Sequence, residues 1–452
     1  MVEAIANSIE DRLIDGLSFK LNPGASYVTD RRSVTFHPQG SNIYKPTSGT
    51  KMIRFNLTGD SWLDPSTFRF AFTLHNDDQG SATYPKTLRP LGSPWAFFRR
   101  LRILAGGQII EDIDQYNRVH EMMHLLTAAD SRENDGAEAF GYGEPTERFD
   151  PSSVDLPQIE DRQVFLFKPL SGLLGQNKFL PIRYMPLAIE LELVDSMTDP
   201  IISSADSGAV ATSTTFSSYV WSIINCEIKA DLCTLDNALD NSYAQHLLSG
   251  KSLPINYSTW TSSMQTMTPP KTAVNVSRAL TRLKSVFVTF NRDETTFNSN
   301  RQQWPMKLWK DFFSPMYDEN HKDTTKIFRH SSEGEFEFQL QIGSKLYPEY
   351  PIRSHSEAFY QLRKCLGVQS SSVHSFDISA QRYRDDKFII GIDTEKVLEA
   401  GWTGLNTRAG DLMRIRFDQA TTETNRYPNR MRIVLESDQI LEIRDTGVQV
   451  FD

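Results

Sequence analysis

Hydrophobic and polar positions alternate with a period of two along much of the chain. In Lys51–Leu57, the side chains of Ile53, Phe55 and Leu57 share one face, while Arg54 and Asn56 take the other. Phe68, Phe70, Phe72 and Leu74 alternate with Arg69, Ala71 and Thr73, and Leu187, Ile189, Leu191 and Leu193 alternate with Ala188, Glu190 and Glu192. In the second half, Phe336, Phe338, Leu340 and Ile342 stand against Glu335, Glu337, Gln339 and Gln341, and Met413, Ile415 and Phe417 against Arg414 and Arg416. Successive side chains of a strand point to opposite faces, so these segments predict antiparallel sheets with one wet side. Many such strands in one chain predict sandwiches or barrels.

Helical spacing is rarer. Residues 114–128 carry Tyr116, Val119, Met123 and Leu126 three and four apart. Ser354–Leu366 places Ala358, Leu362 and Cys365 on one stripe behind a Ser354 cap, with Glu357 three places on. Asp236–Leu248 places Leu239, Tyr243 and Leu247 four apart and stops at Gly250, near the middle of the chain where a linker belongs.

The order of elements repeats. The strand from Leu101 and the helix at 114–128 precede an apolar strand, Val164–Phe167, then Ser171-Gly-Leu, an alternating strand and a long closing strand, Tyr219–Leu232. The strand from Leu340 and the helix at 354–366 precede Phe388–Ile392, then Thr403-Gly-Leu, an alternating strand and the closing strand Met431–Arg444. The offset, roughly 230–240 residues, is the size of one all-β domain, so duplication of such a domain is expected. The expected division is an N-terminal arm with first strand(s) at 1–49, a first β domain at 50–235, a linker helix at 236–254 and a second β domain at 255–452. Between strands, His75–Pro94, Ala129–Asp161, Asp195–Ser217 and Asn291–Gly334 read as long polar loops. The last holds Trp304, Trp309, Phe312, Phe313 and Tyr317, too apolar for open water, and is expected to pack on its own barrel or a neighbour.

Composition narrows the function classes. Formal net charge is −9 and no Lys/Arg block stands out, so direct nucleic-acid binding is not expected. No apolar stretch reaches the roughly 20 residues of a membrane-spanning helix, so no membrane span is expected. The first residues carry acids where a secretion signal needs a positive flank, so synthesis inside the cell is expected. Cys226, Cys233 and Cys365 lack metal-ligand spacing and suit a reducing compartment. The sequons at Asn56, Asn256 and Asn275 are accordingly read as unmodified.

Several segments resemble a known family. The run from Ile342 to Leu362, with Tyr347-Pro-Glu-Tyr-Pro before the helix, is similar to the strand–Pro–helix segment in the second barrel of double jelly-roll major capsid proteins. Gly401-Trp-Thr-Gly-Leu-Asn, the terminal Ile440–Val450, Phe55–Phe70 with its Trp62-Leu-Asp-Pro turn, and Leu101–Asp112 also look like theirs. The phrasing is nearest to the proteins of polinton-like viruses and virophages. This resemblance implies an all-β fold of two tandem eight-stranded jelly-roll barrels with a few short flanking helices. It also implies a homotrimeric, pseudo-hexagonal capsomer in an icosahedral capsid of a double-stranded DNA virus, located in the virion. The implied partners are neighbouring capsomers, a single-barrel penton protein and minor or cement proteins, and no enzyme activity is implied.

One motif points elsewhere. His120-Glu121-Met122-Met123-His124 is a literal H-E-x-x-H on an expected helix, the signature of zinc proteases. Two His at i and i+4 can share a metal, and the Glu between can act as a general base. No Gly and His follow at the metzincin spacing, and the acidic candidates for a third ligand, Glu138, Glu144 and Glu147, fall in an expected loop. The helix also holds the same place in the repeat as 354–366, which has no such motif. The expectation is therefore no catalytic residue, no cofactor and no metal. A lectin-like attachment protein, with the aromatics of 291–334 as a sugar platform, is the other alternative. The order of capsid-like motifs in both halves favours the capsid reading.

Overall fold

The computed structural model describes residues 27–49, 51–77, 80–81, 84–90, 93–139, 159, 161–195, 201–205, 216–217, 220–267, 271–291, 312, 314, 336–367, 376, 378–385, 387–396, 404–408, 412–419 and 430–452. The first half supplies β1 (Val28–Phe36), β2 (Met52–Leu57), β3 (Trp62–Asn76), β4 (Phe98–Ala105), β5 (Gln108–Asp114), β6 (Arg162–Phe167), β7 (Leu187–Leu193) and β8 (Trp221–Leu235). They pair antiparallel in the orders β1-β8-β3-β6 and β2-β7-β4-β5. The second half supplies β9 (Leu253–Thr266), β10 (Lys271–Val276), β11 (Leu283–Asn291), β12 (Phe336–Ile342), β13 (Lys345–Ile352), β14 (Ile389–Asp393), β15 (Met413–Gln419) and β16 (Arg430–Arg444). Their orders are β9-β16-β11-β14 and β10-β15-β12-β13, again antiparallel. The two halves are therefore wired identically. Two sheets whose main four strands have this connectivity make an eight-stranded jelly roll, with short strands at Pro38–Gln39, Ile43–Tyr44, Leu180–Pro181 and Gly447–Phe451 added to them, and the described residues form a tandem pair of such barrels.

Alternation becomes burial as the pattern predicts. On β2, Ile53, Phe55 and Leu57 are buried and Arg54 and Asn56 exposed; on β15, Met413, Ile415 and Phe417 are buried and Arg414 and Arg416 exposed. The first barrel fills with Phe70, Phe72, Phe98 and Phe167, whose rings lie 5.3–6.4 Å apart. The second fills with Phe290, Phe336, Phe388 and Phe417, at 4.9–6.1 Å. On the outer face, Glu190 of β7 sits in register between Arg54 and Arg102, at 3.3 and 2.8 Å.

Helices flank the barrels. The 114–128 segment forms α1 (Tyr116–Leu125), and α2 (Ala129–Glu138) follows it. Gly172–Gly175 is a single helical turn, α3, and Asn237–Leu248 forms α4 between the barrels, capped by Asp236. His355–Cys365 forms α5, with the Ser354 hydroxyl accepting from the Glu357 amide, as its capping pattern predicts.

Three readings are corrected. Ala129–Asp161 begins with a helix, not a loop. His75–Pro94 and Asp195–Ser217 contribute a small separate sheet, in which Tyr84–Pro90 pairs with Ile201–Ala205. Ser171-Gly-Leu enters a helical turn before its strand. Within Asn291–Gly334 only Asn291, Phe312 and Ser314 fall among the described residues, and Phe312 is buried; Trp304, Trp309, Phe313 and Tyr317 lie outside them.

Candidate functional site

The H-E-x-x-H helix packs inward. Every residue of α1 except Met123 is buried, because the helix lies on the first barrel beside the Pro94–Phe97 turn. Trp95 organises the motif. Its ring stacks on His120 with centroids 3.9 Å apart, meets His124 edge-on at 4.7 Å, and its indole N–H donates to Glu121 Oε2 at 2.9 Å. His120 Nδ1 lies 3.0 Å from the Tyr116 hydroxyl, and His124 Nδ1 lies 3.4 Å from Asp135 Oδ2. Burial, helped by neighbouring His124, holds the His120 pKa well below 6.5, so the ring stays neutral near pH 7. Glu138 stands at the end of α2 rather than in a loop, and Arg69 holds its carboxylate at 2.8 Å. Glu144 and Glu147 lie outside the described residues. Among the described residues no three His, Cys, Asp or Glu side chains are grouped for a metal.

The junction between the barrels is the other concentration of buried polar groups. Edge strand β5 of the first barrel runs beside edge strand β9 of the second. At a register shift in β5, opposite Ile103 and Leu104, the adjacent Ile110 and Glu111 are both buried, while Ile109 beside them is exposed. Glu111 caps the turn at α3: its carboxylate accepts from the Ser171 hydroxyl, from the Gly172 amide at 2.9 Å and from the Leu173 amide at 3.3 Å. Ser171 Oγ in turn accepts from the Leu174 amide at 3.1 Å. Burial pushes the Glu111 carboxyl above its usual range, against the pull of those donors.

This clamp presses α3 onto β9. A Cβ on Gly172 would fall 1.7 Å from the Ser258 carbonyl oxygen, so only glycine permits the approach. Further along, the Tyr257 hydroxyl lies 3.0 Å from the Ile110 carbonyl and 2.8 Å from Gln439 Oε1. Ser262 Oγ donates to the Asp114 carbonyl at 2.6 Å, and Arg432 Nε to Gln115 Oε1 at 2.5 Å. The apolar core runs without a break from one barrel into the other. Contacts of this extent, with a shared apolar core, oppose relative motion of the two barrels.

Sequence reasoning marked Ser171-Gly-Leu only as a sign of duplication and passed over Glu111. The available signal was an acid inside the apolar run Ile109-Ile-Glu-Asp-Ile113. The paired glycine in the second half, Gly404, is also tight, with a Cβ placed 2.8 Å from the Leu283 carbonyl; Thr403 before it lies outside the described residues.

The fold and the junction define a class: two jelly rolls in tandem, joined where β5 meets β9. No protein-family model matches the chain, and no curated protein matches it in sequence. Solved structures share the fold. That of the PBCV-1 virus capsid has a TM-score of 0.60 at 10% identity, covering 94% of this chain and 97% of that one. The Faustovirus major capsid protein gives 0.54 at 10% identity, covering 92% and 90%. The Sputnik virophage structure gives 0.54 at 10% identity, covering 94% and 89%.

Proposed function

We propose that this chain is the major capsid protein of a double-stranded DNA virus, a non-enzymatic component of the virion whose homotrimers form pseudo-hexagonal capsomers. The observation that carries the reading is the tandem jelly roll itself, matched over nearly the full length of a virus capsid chain, with no large part of either left over. On this reading residues 1–49 are an N-terminal arm whose strand β1 completes the first barrel, 50–235 and 255–452 hold the rest of the two barrel domains, and 236–254 is the linker, its last two residues already in β9. Neighbouring capsomers, a single-barrel penton protein and minor or cement proteins are its partners. The 120–124 motif is read as a packing element without metal or catalysis: Trp95 packs on both imidazoles and holds Glu121, and Tyr116 and Asp135 each engage one nitrogen of a histidine. With a net charge of −9, the chain is proposed not to grip nucleic acid directly.

Two barrels cannot fill a six-coordinated lattice site, whereas three chains bring six. Light scattering or native mass spectrometry of purified protein should find a species of about 155 kDa, three times the 51.5 kDa chain. A protein that stays monomeric at high concentration, even with its viral partners supplied, would overturn the reading.

A further inference from the structure

We propose that the outward face of the second barrel's sheet β10-β15-β12-β13 is covered, at its linker end, by residues 1–17 of the same chain. This acidic and apolar segment docks on Arg414, Arg416, Leu346 and Leu412. The inference stands apart from the capsomer reading.

Comparison of the two barrels shows what is unusual about this face. In the first barrel the matching sheet neutralises itself: Glu190 sits between Arg54 and Arg102, and Arg100 meets Asp112 at 2.6 Å. In the second barrel the far end of the sheet does the same, with Lys271 4.0 Å from Asp418 and Arg353 3.0 Å from Glu337. Toward the linker end the pattern lapses. Arg416 is flanked in register by Ala273 and Gln339, and Arg414 by Asn275 and Gln341, so no carboxylate stands beside either. Both arginines are exposed. Two leucines share the face: Leu346, opposite Gln341, is 37% exposed, and Leu412, two residues before Arg414, is 54% exposed. Apolar and cationic groups together on an open sheet fit an occupant that is apolar and acidic.

Residues 1–17, which lie outside the described residues, have that chemistry in their sequence. Val2, Ile5, Ile9 and Leu13 recur three and four apart, the spacing of one helix face, and Glu3, Glu10, Asp11 and Asp15 accompany a single Arg12. The segment also joins the fold at the matching end. The Tyr27 carbonyl accepts from the Asp236 amide at the start of α4. β9 leaves α4 at Leu253 and β10 runs back toward it, so the end of β10 and the start of β15, with Arg414, lie at the linker end too. Residues 18–26 span about 30 Å when extended, and such a tether holds the segment at roughly millimolar effective concentration. Docked there, the arm closes the face to any other acidic partner until it is displaced.

Cross-linking tests this in the full chain carrying Cys365→Ser, since Cys226 and Cys233 are buried. Ile9→Cys is combined with Leu412→Cys or, as a control at the far end of the same face, with Lys271→Cys, and a short bismaleimide is added. Mass spectrometry of the single-chain band from a denaturing gel should find the 9–412 link, with the 9–271 link at least about tenfold weaker. Arg414→Glu with Arg416→Glu should reduce the 9–412 link at least about tenfold, and so should Glu10→Lys with Asp11→Lys, which alters no residue of either barrel. Combining the two charge reversals should restore it. The proposal is overturned by the absence of a 9–412 link, by equal links to 412 and 271, or by a 9–412 link that survives both reversals. A link formed only between separate Ile9→Cys and Leu412→Cys chains overturns it as well. None of these outcomes bears on the mass of the assembly, which decides the capsomer reading separately.

Discussion

At the scale of single residues, the junction depends on an atom that is missing. Gly172 lies where any side chain would collide with backbone of the second barrel, and backbone cannot swing aside as a flexible side chain can. Gly172→Ala should therefore destabilise the protein by about 2–3 kcal/mol, read as a lower denaturant midpoint. Gly175, three residues on, faces open space, and Gly175→Ala should be neutral within error. Equal effects at the two positions would show that the close approach does not matter. His120 gives a second test, through pH. Its pKa is depressed in the folded state, so its contribution to stability is present above the unfolded value near 6.5 and is lost as pH falls below it. Stability should decline between pH 6.5 and 5, and His120→Phe, which keeps a ring against Trp95, should shrink that decline. A decline of the same size in the variant would assign it to other groups.

At the scale of elements, what the sequence made legible was set by contact range. Strands with one wet face, such as Phe336–Ile342, announce themselves because burial and alternation coincide. The helix at 355–365 was legible because its start is local: Ser354 Oγ accepts from the Glu357 amide at 3.2 Å, and Glu357 Oε2 from the Arg353 amide at 2.7 Å. Ser354→Ala should cost about 1 kcal/mol, the usual worth of such a cap, measurable as a shift in denaturant midpoint; no shift would mean that packing on β14 alone sets the helix start. The small sheet was not legible. Tyr84–Pro90 carries two prolines and Ile201–Ala205 two serines, and neither alternates, so only their mutual pairing makes them strands. The candidate sites were half legible for the same reason. The H-E-x-x-H spacing is visible along one helix, but Trp95, which engages all three of its polar side chains, lies 25 residues from His120. Glu111 finds its partner Ser171 60 residues away, and no local pattern encodes that meeting.

At the scale of the whole molecule, the question is whether duplication produced two folding units or one. Tandem domains joined by a loose linker unfold independently, because few contacts cross the boundary. Here the boundary is crossed by an unbroken apolar core, by the close approach of Gly172 to the Ser258 carbonyl, and by the hydrogen bonds of Tyr257, Ser262 and Arg432. Opening either barrel would expose the apolar side of the junction and part the Tyr257, Ser262 and Arg432 side chains from the groups they reach across it. Unsatisfied buried groups cost about 1–3 kcal/mol each, and several lie together here, so partial opening is disfavoured relative to complete unfolding. The two barrels should accordingly behave as one cooperative unit. Hydrogen exchange across a denaturant series checks this without reference to oligomeric state: the central ladders β3–β8 and β11–β16 should lose protection with the same free energy and the same denaturant dependence. If one ladder opens at clearly lower denaturant while the other stays protected, the barrels are separate folding units and the junction is a contact between them rather than a shared core.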